Sequence, residues 1–350
     1  MRIAVIGATG NVGTATLRAL AADDRVEAIV GVARRRPDEA WPKVTWQAAD
    51  VVCDPLEPLL AGADAVIHLA WLIQPSRDES VTRAVNVDGT QRVLDAAAAA
   101  GVPRVVAASS IGAYSPGPKD RPVDEAWPTG GTPSSFYSRH KAEMERRLDA
   151  FERAHPDRRV VRLRPGLIFQ RSAASEIRRY FAGPLLPNPL LRPGLIPVLP
   201  FPRGLAVQCV HTDDVADAYR RAALEPHAEG AYNIAADPVL DAERVGRILG
   251  ARPIPVAPRL VRAAAGLAWK ARLQPTSPDW LDMGMSVPVM DTRRARAHLG
   301  WQPAHTAAET VLELLDGMAH GQGGLTPPLA ARAGGRARLG ELRTGVGGRA

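Results

Sequence analysis

Two groups of residues in this chain have the types and spacing that chemistry requires. Near the start, Met1-Arg-Ile-Ala-Val-Ile-Gly7-Ala-Thr-Gly10-Asn-Val-Gly13 runs from an apolar strand pattern into three glycines. Glycine permits a tight turn and close approach of backbone to a pyrophosphate, and a helix N-terminus beyond it supplies N–H donors. Gly7, Thr9, Gly10, Asn11, Val12 and Gly13 are therefore the expected dinucleotide contacts. Far downstream, Tyr137-Ser-Arg-His-Lys141 puts a phenol and an ammonium on one helix face. A free phenol titrates near ~10. An ammonium and an oxidised nicotinamide both favour phenolate, which draws that value toward working pH. Ser110 closes a strand and could hydrogen-bond the reacting oxygen. An ordinary strand-to-helix turn or a surface helix would explain either pattern alone. Together they describe a nicotinamide-dependent oxidoreductase.

Dinucleotide folds usually end the second strand in an acid that bonds the ribose 2′-hydroxyl. Here that place reads Val32-Ala33-Arg34-Arg35-Arg36. Guanidinium suits a 2′-phosphate, so Arg34 and Arg35 favour NADP, with NAD the alternative and a solvated basic loop the plain one. Asp50, after the third strand, is placed to meet the adenine amino group or to cap the next turn. Leu69 and Ala70 end the fourth strand beside the cofactor.

These residues need a scaffold. Strand patterns at Ile3–Ile6, Ala28–Ala33, Val44–Ala48, Ala65–Ala70, Arg104–Ser109 and Val160–Leu163 alternate with helical patterns at Asn11–Ala22, Val81–Ala100 and Ser134–Ala154. Such alternation predicts an α/β fold, a Rossmann-type doubly wound parallel sheet that binds ligands at the carboxyl ends of its strands. After Arg164-Pro165 the prolines multiply and the units shorten, among them a helix over 213–224, a strand at Tyr232-Asn-Ile-Ala235 and helices over 241–249, 258–272 and 306–319. We read residues 1–165 as a dinucleotide-binding lobe, 166–320 as mainly a smaller C-terminal substrate lobe and 321–350 as a disordered tail.

Composition bounds the partners. With 350 residues, 46% hydrophobic and 23% charged, the chain can bury a large core. No apolar run reaches the roughly 18 residues of a membrane span, and the N-terminal pattern is not a signal peptide, so no membrane partner is expected. Cys53 and Cys209 match no metal or redox spacing, which makes a cytoplasmic location the default. No pair of histidines has metal-ligand spacing; His140 and His211 read as structural, and no metal is expected. The net charge of +7 owes much to the last thirty residues, which carry five arginines against one acid, Glu341. That Gly/Ala/Arg/Pro tail lacks apolar periodicity and has no aromatic residue for base stacking, so no nucleic-acid partner is expected.

The chain resembles the extended short-chain dehydrogenase/reductases, the NAD-dependent epimerase/dehydratase family. The matching pieces are Gly7-Ala-Thr-Gly-Asn-Val-Gly13, Asp64-Ala-Val-Ile-His-Leu-Ala70, Asn86-Val-Asp-Gly-Thr90, Ala108-Ser-Ser-Ile-Gly-Ala-Tyr114, Pro133-Ser-Ser-Phe-Tyr-Ser-Arg-His-Lys141, Arg164-Pro165, His211-Thr-Asp-Asp-Val-Ala216 and Leu299-Gly-Trp301. They span roughly residues 1–320 in the family's order. The resemblance implies Ser110, Tyr137 and Lys141 as catalytic residues, with Asn86 supporting a water relay to the lysine. It implies cofactor contacts from Tyr137, Lys141 and Pro165 as well, and a homodimer packed through the helices carrying Asn86 and Tyr137, as is common in the family.

Departures from the family pattern speak to substrate. Nucleotide-sugar members usually carry an Asn and then Tyr-Gly-Pro after Arg-Pro; here the segment is Gly166-Leu-Ile-Phe-Gln170. Their arginine before the Val-x-Asp strand is replaced by Ala206-Val-Gln-Cys209, the nearest cation being Arg203. Trp71 stands where the family usually has a small residue. The apolar span Leu185–Phe201 should lie over the cleft or pack between lobes. Trp71, Ser110, Ile111, Gly166 and Leu167 are the expected substrate contacts, for a small and apolar molecule undergoing reversible hydride transfer at a secondary alcohol or ketone. The rivals are a nucleotide-sugar 4-epimerase or dehydratase and a non-catalytic NAD(P)-sensing regulator.

Overall fold

The computed structural model describes residues 1–74, 77–182 and 192–331. Seven strands form one parallel sheet: β1 (Arg2–Ile6), β2 (Ala28–Ala33), β3 (Val44–Ala48), β4 (Ala65–His68), β5 (Arg104–Ala108), β6 (Arg159–Pro165) and β7 (Gly230–Ile234). Their spatial order is β7-β6-β5-β4-β1-β2-β3. Side chains alternate across a strand, so β1 sends Ile3 and Val5 to one face and Ala4 and Ile6 to the other. Helices α1 (Asn11–Ala21) and α4 (Thr212–Leu224) bring Leu17, Leu20 and Tyr219 to the first face. Helices α2 (Gly89–Ala99) and α3 (Phe136–Ala154) bring Leu94, Leu148 and Phe151 to the second. With both faces covered, the sheet is the doubly wound one that the strand–helix alternation predicts.

The helix expected over Val81–Ala100 is three pieces: Glu79–Arg83, a π-helical turn over Ala84–Asp88, and α2. Gly89 starts α2 because a Cβ there would stand 2.8 Å from Val51 Cγ2. The division at residue 165 is not a clean cut through the chain. Tyr232–Ile234 lies in β7, which pairs with β6, and α4 packs beneath the same sheet. The chain therefore crosses into the smaller lobe and returns. Asp214, on α4, locks that return: its carboxylate accepts from the backbone N–H groups of Ala304 and His305, and its carbonyl accepts the Trp301 indole N–H at 2.8 Å.

The smaller lobe holds two-stranded parallel ladders, Leu167–Phe169 with Cys209–His211 and Val198–Pro202 with Arg252–Val256. It adds α5 (Pro258–Lys270), the Asp279–Ser286 helix and α6 (Ala307–Ala319), whose start is fixed by a reciprocal Thr306–Glu309 capping box. The expected tail differs from the structure in its first part. Residues 321–331 pack against the body, with Thr326 and Leu329 buried and Thr326 Oγ1 donating to Thr9 O at 2.7 Å. Gly323 and Gly324 make this docking feasible, since a Cβ on either would meet Leu329 or its backbone. Residues 332–350 lie outside the described residues. No described helix is long and apolar enough to cross a membrane.

Candidate active site

The glycine loop leaves β1 at Gly7, whose φ of +87° favours glycine. A Cβ at Gly7 would stand 2.6 Å from Ala70 N, and one at Gly13 would stand 2.3 Å from Gly7 O. Packing within the protein therefore demands these two glycines. At Gly10 a Cβ would find only Gly7 O, at 3.6 Å. The room above Gly10 belongs to the cleft. This is the cradle that a dinucleotide pyrophosphate needs at a helix N-terminus, and the residues present fit it.

That cleft, about 980 Å³ including its open mouth, brings together Gly7, Thr9, Gly10, Arg34, Arg35, Asp50, Leu69, Ala70 and Trp71. Asp50 Oδ1 also accepts from Val52 N, so it caps a turn while lining the cleft. Asn11 turns elsewhere: its Oδ1 accepts from Gln170 Nε2 at 2.6 Å and Thr212 Oγ1 at 3.2 Å, tying the loop to the smaller lobe. Val12 packs on the core beneath α1. Pro165 is buried in the β6–β7 ladder. Glu176, Arg179, Tyr180 and Pro328 line the same cleft. Nothing in the sequence marked these four, because they come from segments more than 140 residues beyond Arg34 and Arg35. Burial pushes the Glu176 carboxyl up to about 7.

Ser110, Tyr137 and Lys141 converge behind this cleft. Ser110 is the N-cap of the Ile111–Ala113 turn and accepts from Gly112 N at 3.0 Å. Gly112 is required there: a Cβ would stand 2.8 Å from Tyr137 Cε1. Ser138, next to the phenol on α3, donates to Gly112 O at 2.5 Å and holds the turn against the helix. Burial pushes the Tyr137 phenol up to about 12, opposed by its hydrogen bond with Ser110. The lowering expected from an ammonium together with an oxidised nicotinamide has to work against this burial. The Lys141 Nζ is committed elsewhere, 2.5 Å from Ala108 O and 3.3 Å from the centroid of the Trp71 ring. Burial holds the Lys141 ammonium well below the usual lysine range, partly offset by Glu145.

Glu145 extends the face of Tyr137 and Lys141 by one more turn. Its carboxylate accepts from Ser109 Oγ, from Arg164 Nε at 2.8 Å and from Arg162 Nη1 at 3.2 Å. Arg164 reaches on to Tyr114 OH, which donates to Asn233 Oδ1 at 2.6 Å. A buried polar network thus joins the ends of β5, β6 and β7 to the helix that carries the phenol. Asn86 lies on the π-helical turn and its side-chain amide is occupied. Oδ1 accepts from Leu72 N at 2.7 Å, and Nδ2 donates to Leu72 O at 2.8 Å. That bidentate grip positions the residue after Trp71.

Aromatic rings wall the site. Trp71 meets Tyr137 edge-on at 5.9 Å, Tyr137 meets Trp280 at 5.0 Å, and Trp280 meets Phe181 at 5.0 Å. Ile111 is buried with Met283 against Tyr137 and Trp280. Gly166 and Leu167 lie in the ladder beside Gln208, where a Cβ on Gly166 would stand 2.5 Å from Gln208 O, and Leu167 is exposed. Of the apolar span, 185–191 lies outside the described residues. Its remainder forms the ladder with Arg252–Val256 and is absent from the cofactor cleft. Sequence reasoning had no means to find Trp280 and Phe181, which reach the phenol only through the fold. Among the described residues, no group of three or more His, Cys, Asp or Glu is arranged to hold a metal.

Comparison with known proteins agrees with this geometry. The family model described as "NAD dependent epimerase/dehydratase family" matches residues 3–235. An uncharacterized protein of Mycobacterium tuberculosis, Rv2047c, is 31% identical over 316 residues, which are 88% of this chain. The aligned region covers only 29% of that relative's length. MoeE5, solved with UDP-glucuronic acid and NAD, superposes with a TM-score of 0.66 at 21% identity, covering 91% of this chain and 99% of its own. DesIV, a dTDP-glucose 4,6-dehydratase from Streptomyces venezuelae solved with NAD, does so with a TM-score of 0.65 at 19% identity, covering 91% of this chain and 97% of its own. These superpositions show a shared fold. The matched family model, spanning the glycine loop, the phenol–lysine helix and the strand ends between them, places the chain in the NAD-dependent epimerase/dehydratase family.

Proposed function

We propose that this protein is an NAD(P)-dependent oxidoreductase that transfers hydride reversibly at a secondary alcohol or ketone of a small, apolar substrate. The observation that carries the reading is the continuous run of ring contacts from Trp71 through Tyr137 and Trp280 to Phe181 at the proton-donating phenol. Such a wall gains roughly 25 cal/mol per Å² of hydrocarbon it covers. A diphosphate set there would lose hydration without a charged partner.

In the oxidative direction the Tyr137 phenolate would take the proton of the substrate hydroxyl, and in the reductive direction the Tyr137 phenol would give a proton to the carbonyl oxygen. Ser110 orients the substrate oxygen, because Gly112 N–H occupies one lone pair of its hydroxyl and leaves its proton to donate. Lys141 serves as the cation near the phenol and as a donor for a ribose hydroxyl. When bound, an oxidised nicotinamide supplies the hydride acceptor and a positive charge. Arg34 and Arg35, which line the cleft, favour NADP.

Calorimetry with NADPH present should show no micromolar binding of UDP, dTDP or GDP sugars, whereas cyclic or chain ketones should bind and oxidise the cofactor. Micromolar binding of a sugar nucleotide would replace this reading with an epimerase or dehydratase. Cofactor binding without turnover of any carbonyl compound would favour a sensor.

A further inference from the structure

The smaller lobe carries an unusual combination of charge and exposed hydrocarbon. Between Glu243 and Asp279 the chain has seven cations (Arg244, Arg247, Arg252, Arg259, Arg262, Lys270 and Arg272) and no acid. Arg244, Arg247 and Arg262 pair with Asp241, Glu243 and Asp282 at its borders. Residues 177–212 likewise carry Arg178, Arg179, Arg192 and Arg203 without an acid. Most exposed large hydrophobic residues fall in the same lobe. Leu260 is 61% exposed, Leu267 69%, Leu273 53%, Leu195 53% and Ile254 46%.

Helix α5 concentrates the pattern. Its spacing puts Leu260, Ala263, Ala264 and Leu267 on one stripe, at i, i+3, i+4 and i+7. Leu260, Ala263, Ala264 and Leu267 are all exposed, and no residue of the helix is fully buried. Arg259 and Lys270 border the stripe on one side, and both are exposed. The opposite side faces the protein: Arg77 donates to Trp269 O and stacks on its ring, and Gln274 Nε2 donates to Ala265 O at 3.3 Å. The helix is therefore anchored from within while its apolar stripe points outward. The preceding strand continues the exposure. In the parallel ladder Val198 pairs with Arg252 and Pro200 with Ile254, and these four share one exposed face.

We infer that α5 docks this protein on an anionic lipid surface, lying in the plane of the interface without crossing it. A basic helix with Leu and Ala on its outer stripe is the form that interfacial helices take. Beyond the three arginines paired with Asp241, Glu243 and Asp282, the cations Arg252, Arg259, Lys270 and Arg272 supply the charge complementarity, each near such a surface adding attraction that salt screens. A second protein would need its own acidic partner groups and a matching apolar groove, whereas a lipid surface needs neither. The expectation of no membrane partner rested on the lack of a spanning segment, which an interfacial helix does not require. Docking here is independent of the chemistry at Tyr137. It would also bring the Phe181–Trp280 side of the site near lipid, because Thr276, just past α5, donates to Phe181 O at 2.7 Å.

The test is flotation of the full chain with vesicles of phosphatidylcholine alone and of phosphatidylcholine mixed with phosphatidylglycerol. The protein should float with the mixed vesicles, far less with the neutral ones, and the binding should fall as salt rises. Leu260→Glu combined with Leu267→Glu should abolish flotation. Arg259→Ala combined with Lys270→Ala should weaken it about 30-fold. Both positions are exposed, so melting temperature and cofactor affinity should stay unchanged in both variants. Failure to float with the mixed vesicles overturns the proposal, as does flotation unaffected by the double glutamate variant. A dimer in solution that the double glutamate variant breaks, with no vesicle binding, would assign the face to a second copy and equally overturn it.

Discussion

Trp71 covers Lys141. The indole centroid lies 3.3 Å from Nζ, and the ammonium beneath it is almost fully buried. Trp71 lines the cofactor cleft, so the indole stands between the cleft and the ammonium. An indole and a ribose hydroxyl would compete for the same cation.

Removing the indole should therefore tighten cofactor binding. A cation–π contact is worth about 0.5–2 kcal/mol, so Trp71→Ala should lower the Kd for NADPH about 2- to 30-fold in a fluorescence titration. Unchanged or weaker binding would show that the indole helps to seat the cofactor.

Tyr137→Phe should reduce turnover by at least about 100-fold and leave NADPH affinity nearly unchanged, while Lys141→Ala should damage both. Because burial holds the free phenol near about 12, it is protonated at neutral pH. For alcohol oxidation kcat/KM should rise with pH across the neutral and alkaline range, whereas for ketone reduction it should stay flat there. A flat oxidation profile would rule out the phenol as the base.

Glu176 lines the same cleft as Arg34 and Arg35. Its raised value, about 7 against an ordinary 4.5, leaves it neutral below that pH and anionic above. A carboxylate there repels a 2′-phosphate. Relative to Glu176→Gln, the wild type should lose NADPH affinity as pH rises from 6 to 8, with NADH much less affected. Between 4.5 and 7 the folded chain holds a proton that the unfolded chain has released, so this group's contribution to stability declines over that window. Arg34→Ala with Arg35→Ala should weaken NADPH more than NADH. Tighter NADH binding in the wild type would make these arginines surface decoration.

Ending the chain at His320 removes Thr326, Leu329 and Pro328, the last of which lines the cofactor cleft. Losing one buried leucine and one hydrogen bond should cost about 2–4 kcal/mol and weaken cofactor binding. Ending it after Ala331 should cost neither. Equal melting temperatures for the two truncations would show that the docked stretch contributes nothing.

Glu145→Ala removes the carboxylate that Arg164 pairs with, while Arg162 keeps Asp149 and Glu152. Breaking a buried pair from one side costs about 3–5 kcal/mol, readable as a shift in the urea midpoint. A shift of less than 1 kcal/mol would mean that water satisfies Arg164.

By itself the sequence determined the doubly wound sheet, the glycine turn, and the shared helix face of Tyr137 and Lys141. These depend on period and local conformation: strand alternation, a positive φ at Gly7, and four-residue spacing along α3. It also marked Trp71, because an indole was unexpected at that position. Only tertiary structure decided that β7 and α4 return to the sheet, since a strand's sheet membership is fixed by its neighbours. The same holds for the cleft, which Glu176, Tyr180 and Pro328 line together with arginines distant in sequence. The phenol's ionisation depends on packing for a related reason. Proximity along a helix favours phenolate, but burial disfavours charge, and the Lys141 Nζ meets Ala108 O and the Trp71 ring while standing 5.8 Å from the centroid of the Tyr137 ring. Spacing sets which groups can meet, and the packing around them sets which of their interactions prevails.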